Sequence, residues 1–301
     1  MATAKPIGVR RISRPGPWAL AGFVLLALAL VGCTKTSYQY RWDFFVDSVF
    51  RPDQRIWDGL ILTVCIAVTA QILGVLLGVF GALGKLTRFL PLRILAEFYV
   101  WLFRGTPLLV QIMFLYYGLG VTGIFRWPDI DILGLTIAGK VQAGIFALGV
   151  NEGAYMTEIV RAGILAIDPG QTEAAKSLGM TYGQAMRRVV LPQAARVIVP
   201  PLGNEFNNML KTTSLLVIIS VEELFVTFQN LNASGRMVFH PFELFLACAV
   251  WFLLLTTIWS LIQGRIERRL ARGAAGSTIV EGRSLRSRLF GMGRAGGERT
   301  A

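Results

Sequence analysis

The chain has 301 residues, of which 54% are apolar and only 16% are charged. This composition is too apolar for an ordinary soluble domain, and the length suits one bundle of about six helices better than several domains. A net charge of +12 would suggest a nucleic-acid partner in a soluble protein, but the basic residues concentrate in particular loops and in the tail. The positive-inside rule explains that distribution, so we expect an integral membrane protein that binds no nucleic acid.

The first 16 residues carry four basic side chains and no acid, and an uncharged run follows from Trp18 to Cys33. We expect this run to be a transmembrane helix that enters from the cytoplasm. Leu30 to Cys33 also resembles a bacterial lipoprotein cleavage box, so a cleaved signal peptide is the alternative. The stretch from Thr34 to Asp58 is aromatic and of mixed charge, which is typical of an external segment at headgroup depth.

The clearest membrane span runs from Gly59 to Gly84, which holds no charged residue and exceeds the ~20 residues needed to cross a bilayer. Gly74, Gly78 and Gly81 fall on one face of this helix, and such a stripe of small residues predicts that another helix packs closely there. The basic residues that follow predict a cytoplasmic loop; they are Lys85, Arg88 and Arg93.

Further spans bring the predicted bundle to about six helices. The amphipathic stretch from Leu92 to Phe103 is followed by Thr106 and Pro107, which can cap and start a helix. The remaining predicted spans are Gly105–Phe125, Val141–Ile167, Pro200–Val221 and Leu244–Gly264. Nine arginines lie beyond the last span, so both ends of a six-span chain are predicted to be cytoplasmic.

Nothing in the sequence points to an enzyme or a metal site. The single histidine, His240, excludes histidine clusters and is expected to flank the last span. A phosphate-binding loop fails at Gly84-Lys85, because Leu86 replaces the required hydroxyl residue, so nucleotide energy must come from another chain. The cysteines have neither disulfide nor metal spacing and are interpreted as buried small side chains; they are Cys33, Cys65 and Cys248.

Polar side chains at membrane depth are informative, because a charge at the bilayer centre costs at least ~2.5–3.5 kcal/mol. Two sets share a helical face by their spacing: Asn151, Tyr155 and Glu158, and then Asn204, Asn208 and Lys211. The asparagines suit either structural hydrogen bonds or a solute path. Glu158 can pair with Arg161 three residues on.

A path is favoured for Glu152, Glu205 and Lys211, which have no evident local partner except each other. Arg104 either lines a passage or anchors a helix end in the headgroups.

A polar segment, Asp168 to Pro192, interrupts the apolar pattern and is predicted to form two short helices around a glycine corner. Asp168 is an N-cap residue with Pro169 at the first helical position, and Gly179 can end this helix. Thr181–Gln184 is a capping box that starts a second helix, which should stop or kink near Pro192. The predicted topology puts this segment in the cytoplasm.

Two kinds of transport protein fit these features. One is a self-sufficient secondary solute carrier or channel, and the other is a membrane subunit driven by a cytoplasmic motor. A driven subunit needs a rigid protrusion to receive force, whereas a self-sufficient carrier has no need of one. The helix–glycine–helix protrusion therefore favours the driven subunit, and the secondary carrier stays the alternative.

The same segment resembles the EAA motif of ATP-binding-cassette (ABC) importer permeases. The matching residues are Glu173, Ala174, Ala175, Gly179, Leu191 and Pro192, with Val189 in the place of an isoleucine. Three other blocks resemble the polar amino-acid branch, which includes histidine, glutamine, arginine and opine permeases. These blocks are Arg104 to Gln111 with Tyr116 to Gly118, Asn151 to Ile164, and Asn204 to Phe206 with Lys211 to Leu215.

The resemblance covers Trp57 to Arg268 and implies an all-α membrane bundle. A five-helix permease core (57–268) would follow an N-terminal region with one extra helix (1–56) and precede a basic, disordered cytoplasmic tail (269–301). The residues that it implies for coupling to an ATPase are Gln171, Glu173, Ala174, Ala175, Gly179 and Pro192, with the two alanines keeping the docked face thin. The candidate path residues are Arg104, Asn151, Glu152, Tyr155, Glu158, Asn204, Glu205, Asn208 and Lys211.

The resemblance also implies partners and a location. Two permease subunits, identical or paired with a sister chain, would form a path for a polar or charged amino acid. Two ATPase subunits would dock on the cytoplasmic helix, and an external amino-acid-binding protein would deliver the solute. ATP and Mg²⁺ would be bound by the ATPase, with no cofactor or metal in this chain, and the complex would lie in the bacterial inner membrane.

Overall fold

The computed structural model describes residues 38–132, 134–233 and 240–272. The predicted first span (18–33), with its cysteine, and the tail beyond residue 272 lie outside these ranges. Every described helix belongs to the compact unit Trp42–Ala301. The helices are α1 (Trp42–Phe50), α2 (Gln54–Leu86), α3 (Leu90–Gly105), α4 (Leu108–Met113), α5 (Leu119–Val121), α6 (Gly139–Leu165), α7 (Pro169–Ser177), α8 (Tyr182–Ala185), α9 (Leu191–Thr212), α10 (Leu224–Ala233) and α11 (Pro241–Arg272).

Irregular helical turns and a small hairpin join these helices. π-helical turns occupy Phe114–Gly118 and Met186–Val190, and a 3-10 helix occupies Thr213–Ile219. The antiparallel strands β1 (Ile130–Ile132) and β2 (Leu135–Ile137) form a hairpin, so the all-α prediction missed a small β element. Strands of three residues are too short to show an alternating pattern in the sequence.

Helices α2 and α6 run parallel and pack in direct contact. A Cβ atom at Gly78 would lie 2.2 Å from Cβ of Met156, and Gly74 and Gly81 face Glu152 and Thr157 in the same way. The prediction that the glycine stripe admits another helix is confirmed, and α6 is that helix. Backbones this close exclude side chains larger than hydrogen on the α2 face.

Two helices, Gln54–Leu86 and Pro241–Leu270, are each long and apolar enough to cross a membrane. A third candidate is the pair Leu90–Gly105 and Leu108–Val121, whose axes meet at 105°. Helices α6 and α9 are as long as a span, but they carry the polar residues. The total of six spans therefore stays a prediction.

The segment from Gly105 to Phe125, predicted to be one span, is shorter than expected. Thr106 adopts an extended conformation (φ −116°, ψ 146°) because the proline ring of Pro107 disfavours helical geometry in the residue before it. The helical part, Leu108–Val121, rises only ~21 Å at 1.5 Å per residue, which is less than the ~30 Å of a bilayer core. The helix begins directly after Thr106 and Pro107, as expected, but it is shorter than the predicted span.

The described core has two apolar clusters. The larger one joins α2, α6, α9 and the 3-10 helix and includes Ile66, Leu148 and Leu216. The smaller one lies where α1 and α10 meet α2 and α11, and there Nε1 of Trp251 donates to the carbonyl of Ser48 at 3.0 Å.

The last helix and the described cysteines test two smaller predictions. His240 immediately precedes α11, and its backbone carbonyl accepts from the N–H of Leu244 at 3.3 Å. Its predicted flanking position is therefore confirmed. Cys248 is buried, but Cys65 is exposed, and its predicted burial is wrong. An apolar helix of a membrane protein also presents small residues outward, so apolar surroundings in the sequence do not establish burial.

Candidate functional site

A cavity of about 350 Å³ lies where α4, α6 and α9 meet. Its lining combines two carboxyl groups, two amides, a phenol and a hydroxyl with apolar side chains. The lining residues are Leu108, Leu148, Asn151, Glu152, Tyr155, Glu205, Asn208, Met209 and Thr212. Five of the predicted path residues are therefore brought together, three from α6 and two from α9.

The carboxylate of Glu152 is held by a residue that sequence analysis did not single out. Nε2 of Gln71, in α2, donates to Oε1 of Glu152 at 3.1 Å, and both side chains are buried. The partner of Glu152 is therefore not local: it lies on another helix, 81 residues away in the sequence. The available signal for Gln71 was that it is the single amide residue in the uncharged span Gly59–Gly84.

Asn151 fastens the bend between α3 and α4 to α6. Its Nδ2 donates to the carbonyl of Phe103 at 3.0 Å and to Oε1 of Gln111 at 3.0 Å. Gln111 in turn donates to Oγ1 of Thr106 at 2.7 Å, which satisfies polar groups at the end of α3. The contacts of this asparagine match structural hydrogen bonding, and its place in the cavity lining also agrees with the path interpretation.

Arg104 lies beside the cavity, with its guanidinium carbon 5.1 Å from the ring centroid of Tyr155. Tyr155 lines the cavity, so this cation–π contact places a positive charge at the edge of the cavity. Of the two predicted positions for Arg104, the contact agrees with the edge of a passage.

The other predicted path residues lie elsewhere. Glu158 forms ion pairs with Lys85 and Arg161, and Asn204 accepts from Nε2 of Gln263 in α11 at 3.1 Å. Lys211 lines a separate groove with Ser214 and aromatic residues of α10 and α11. Helical spacing put Asn204, Asn208 and Lys211 on one face of α9, but different neighbours contact that face at each level.

The predicted glycine corner is confirmed in detail. Oδ1 of Asp168 accepts from the N–H of Gly170 at 2.7 Å, and Pro169 occupies the first helical position of α7. Gly179 has φ +82°, and the N–H of Met180 bonds to the carbonyl of Ala175 at 3.1 Å. This is the Schellman ending that a glycine after a helix allows.

The second predicted helix begins as expected but does not end at Pro192. Thr181 and Gln184 form the reciprocal capping box, and α8 then runs through the π-turn Met186–Val190 into α9. The N–H of Leu191 bonds to the carbonyl of Met186, five residues back. A π-turn redistributes the backbone hydrogen bonds just before the proline, so the helix continues.

The predicted coupling residues do not all face outward. Glu173, Ala174 and Gly179 are exposed, whereas Ala175 is only 3% exposed. The expectation that both alanines keep a docked face thin is therefore wrong for Ala175, whose small size instead lets α7 pack against its own chain. Oε1 of Gln171 accepts from Nε2 of Gln193 at 3.3 Å, which ties α7 to the start of α9.

The fold and the cavity define a helical membrane transport protein whose α6 connects a polar cavity to a capped helix corner. Residues 74–272 match the family described as the inner membrane component of binding-protein-dependent transport systems. The arginine transport system permease protein ArgU of Corynebacterium glutamicum is 36% identical over 281 residues, covering 91% of this chain and 86% of that protein. The arginine permease ArtQ of Bacillus subtilis is 34% identical, covering 71% and 92%.

Solved structures agree with this similarity. A chain from the crystal structure of an amino acid ABC transporter with histidines has a TM-score of 0.66 and 36% identity, covering 77% of this chain and all of that one. A chain of the MetNI methionine ABC transporter, at 17% identity and a TM-score of 0.57, shares the fold. The chain belongs to the inner membrane components of binding-protein-dependent transport systems, among the amino-acid ABC transporter permeases.

Proposed function

We propose that this chain is the permease subunit of an ATP-driven importer of a polar or charged amino acid. One observation carries the proposal: α6 joins the cavity to the exposed helix α7. Glu152 lies about 20 Å along α6 from its end at Leu165, and Asp168 caps α7 three residues later. A displacement of α7 therefore acts on the helix that supplies three of the cavity residues.

The proposed assembly contains partner chains that supply the remaining functions. Two permease subunits, identical or paired with a sister chain, form the path, and two ATPase subunits bind ATP and Mg²⁺ below them. Each ATPase contacts α7, where Glu173 and Ala174 are exposed. An external amino-acid-binding protein delivers the solute to the opposite side of the inner membrane.

The proposed topology has six spans, with an extra N-terminal helix before a five-helix core. Both termini are cytoplasmic in this proposal, and residues 57–268 form the transport domain. The parallel course of α2 and α6 supports it, because Lys85 and the start of α7 then lie on the same side of the membrane.

The proposed substrate carries a positive charge on its side chain. Glu152 and Glu205 both line the cavity, and two carboxyl groups at membrane depth favour a cationic guest over an anionic one. The names of two relatives describe them as arginine permeases, which agrees with this chemistry. L-arginine is therefore the first probe.

Removing either cavity carboxyl is expected to weaken uptake of L-arginine. Glu152→Gln and Glu205→Gln should each raise KM for L-arginine about tenfold, which corresponds to ~1.4 kcal/mol of lost charge interaction. Radiolabelled uptake into proteoliposomes that contain the complete transporter measures this effect. Glu97→Gln is the matched control, because Glu97 is an exposed carboxyl that pairs with Arg93 outside the cavity.

Two outcomes would contradict the proposal. If Glu152→Gln, Glu205→Gln and Glu97→Gln all have the same KM for L-arginine, the two cavity carboxyl groups do not contribute to substrate binding. Uptake by the purified permease without an ATPase would favour a secondary carrier. By contrast, co-purification of an ATPase in equal ratio would support the importer. Lys211→Met tests separately whether the groove around Lys211 belongs to the path.

A further inference from the structure

Three charged side chains join α2 to α6 at the end nearest the cytoplasmic helix. Nζ of Lys85 lies 2.6 Å from Oε1 of Glu158, and the guanidinium of Arg161 donates to Oε2 of the same carboxylate at 2.8 and 3.0 Å. The Lys85 and Glu158 side chains are only 17% and 21% exposed. One carboxylate thus receives two cations, and only Lys85 comes from another helix.

This charge cluster completes a continuous contact between the two helices. We call this contact between α2 and α6 the seam. Gly78 lies against Met156 in its middle, and Gln71 donates a hydrogen bond to Glu152 at the cavity. Glu158 follows Glu152 by six residues, or about 9 Å along α6. The seam therefore runs from the cavity to the last turns before α7, with the charge cluster at its cytoplasmic end.

The other connection from α7 to the cavity is built differently. It passes through the π-turn Met186–Val190 and past Pro192 before α9 reaches Glu205. π-turns and prolines are the common sites where long helices bend. Two helices connect α7 to the cavity. Helix α6 is held to α2 by the Lys85–Glu158 ion pair, whereas α9 follows a π-turn at which it can bend.

We propose that Lys85 and Glu158 are positioning residues that lock α2 and α6 into one lever, through which movement of α7 reaches the cavity. The inference rests on the proposed function, since it assigns a mechanical role within that transport cycle. A part-buried pair with a short contact suits this role, because the ammonium of Lys85 is the charged group that reaches this carboxylate from α2, and water screens the pair less than it would at the surface. Arg161 holds the same carboxylate from within α6 and does not connect the helices.

The matched variants Lys85→Met and Arg161→Met test whether transport needs the contact between α2 and α6 or only a positive charge beside Glu158. Both remove one cation from Glu158, but only the first removes the contact to α2. In proteoliposomes with the complete transporter, Lys85→Met should raise the ATP hydrolysed per L-arginine imported about fivefold, while Arg161→Met leaves the ratio near that of the unmodified chain. Lys85→Arg should restore the ratio, because it restores a cation that reaches from α2.

The distance between the ends of α2 and α6 tests, without a transport assay, whether the two helices are held together. Spin labels at Leu86→Cys and Leu165→Cys, both exposed positions at the ends of α2 and α6, report the separation of the helices after the native cysteines are replaced by alanine. Labelled permease in nanodiscs should give one narrow distance distribution, which broadens with Lys85→Met but not with Arg161→Met. Adding the ATPase with ATP and vanadate should leave the narrow distribution unchanged.

Each result decides the proposal. Equal effects of Lys85→Met and Arg161→Met on both readouts, or no effect of either, would overturn the lever. A helix separation that changes on vanadate trapping in the otherwise unmodified chain would also overturn it. Absence of ATP-driven L-arginine uptake would refute the proposed function or its substrate, while the nanodisc distances would still decide whether Lys85 locks the helices.

Discussion

Replacement of Gly179 by aspartate is expected to leave the permease folded and inserted but to uncouple ATP hydrolysis from uptake. Gly179 has φ +82°, is exposed, and has no atom within 4 Å of where a Cβ would lie. Asparagine and aspartate tolerate this left-handed conformation better than other residues, for which it costs ~1–2 kcal/mol. The new side chain therefore projects, with its charge, from the corner next to the proposed ATPase contact.

The measurement is uptake of L-arginine and ATP hydrolysis by the same reconstituted complexes. Gly179→Asp should reduce the uptake per ATP hydrolysed at least about tenfold, as expected for loss of a specific docking contact. Gly179→Asn is the matched control, because it has the same shape and tolerates the same backbone conformation without the charge. Normal transport by Gly179→Asp would refute a coupling role for this corner.

Replacement of Gly78 by alanine is expected to destabilise the permease itself. The added Cβ would lie 2.2 Å from Cβ of Met156 and 2.9 Å from its backbone carbonyl carbon, so α2 and α6 would have to separate. Overpacking of this kind costs ~1–3 kcal/mol, and Gly78→Leu should cost more and prevent accumulation of folded protein. Thermal unfolding of the purified permease in detergent measures the loss.

Gly105→Ala provides the control for this substitution. Gly105 is the last residue of α3 and has no atom within 4 Å of a Cβ position, so alanine should be neutral or slightly stabilising there. If Gly78→Ala and Gly105→Ala unfold at the same temperature, α2 and α6 do not pack through the glycine seam.

Several parts of the helix–glycine–helix corner could be predicted from sequence because they depend on residues within one helical turn. Asp168 caps α7 through a residue two positions away, and Thr181 and Gln184 complete a capping box over three. The left-handed Gly179 follows from the same local chemistry. Local rules left open whether the helix stops or kinks near Pro192, since the π-turn through which it continues depends on how the whole helix is held.

The cavity could be predicted only as a set of helix faces. Period 3.6 put Asn151 and Tyr155 on one face of α6, and both line the cavity. The same rule grouped Lys211 with Asn208, but they line different spaces, because residues of α10 and α11 line the groove at Lys211. Periodicity identifies which residues point the same way, but it does not identify the neighbour that they meet.

By itself, the sequence determined the membrane class, the capped corner and the glycine face, because composition, caps and small-residue spacing act over short stretches of chain. Only the tertiary structure decided the bonds from Gln71 to Glu152, from Asn151 to Gln111 and from Lys85 to Glu158, whose partners are 81, 40 and 73 residues apart. It also decided that Ala175 faces inward. A buried polar group must find a partner, but which helix supplies that partner depends on how the bundle packs.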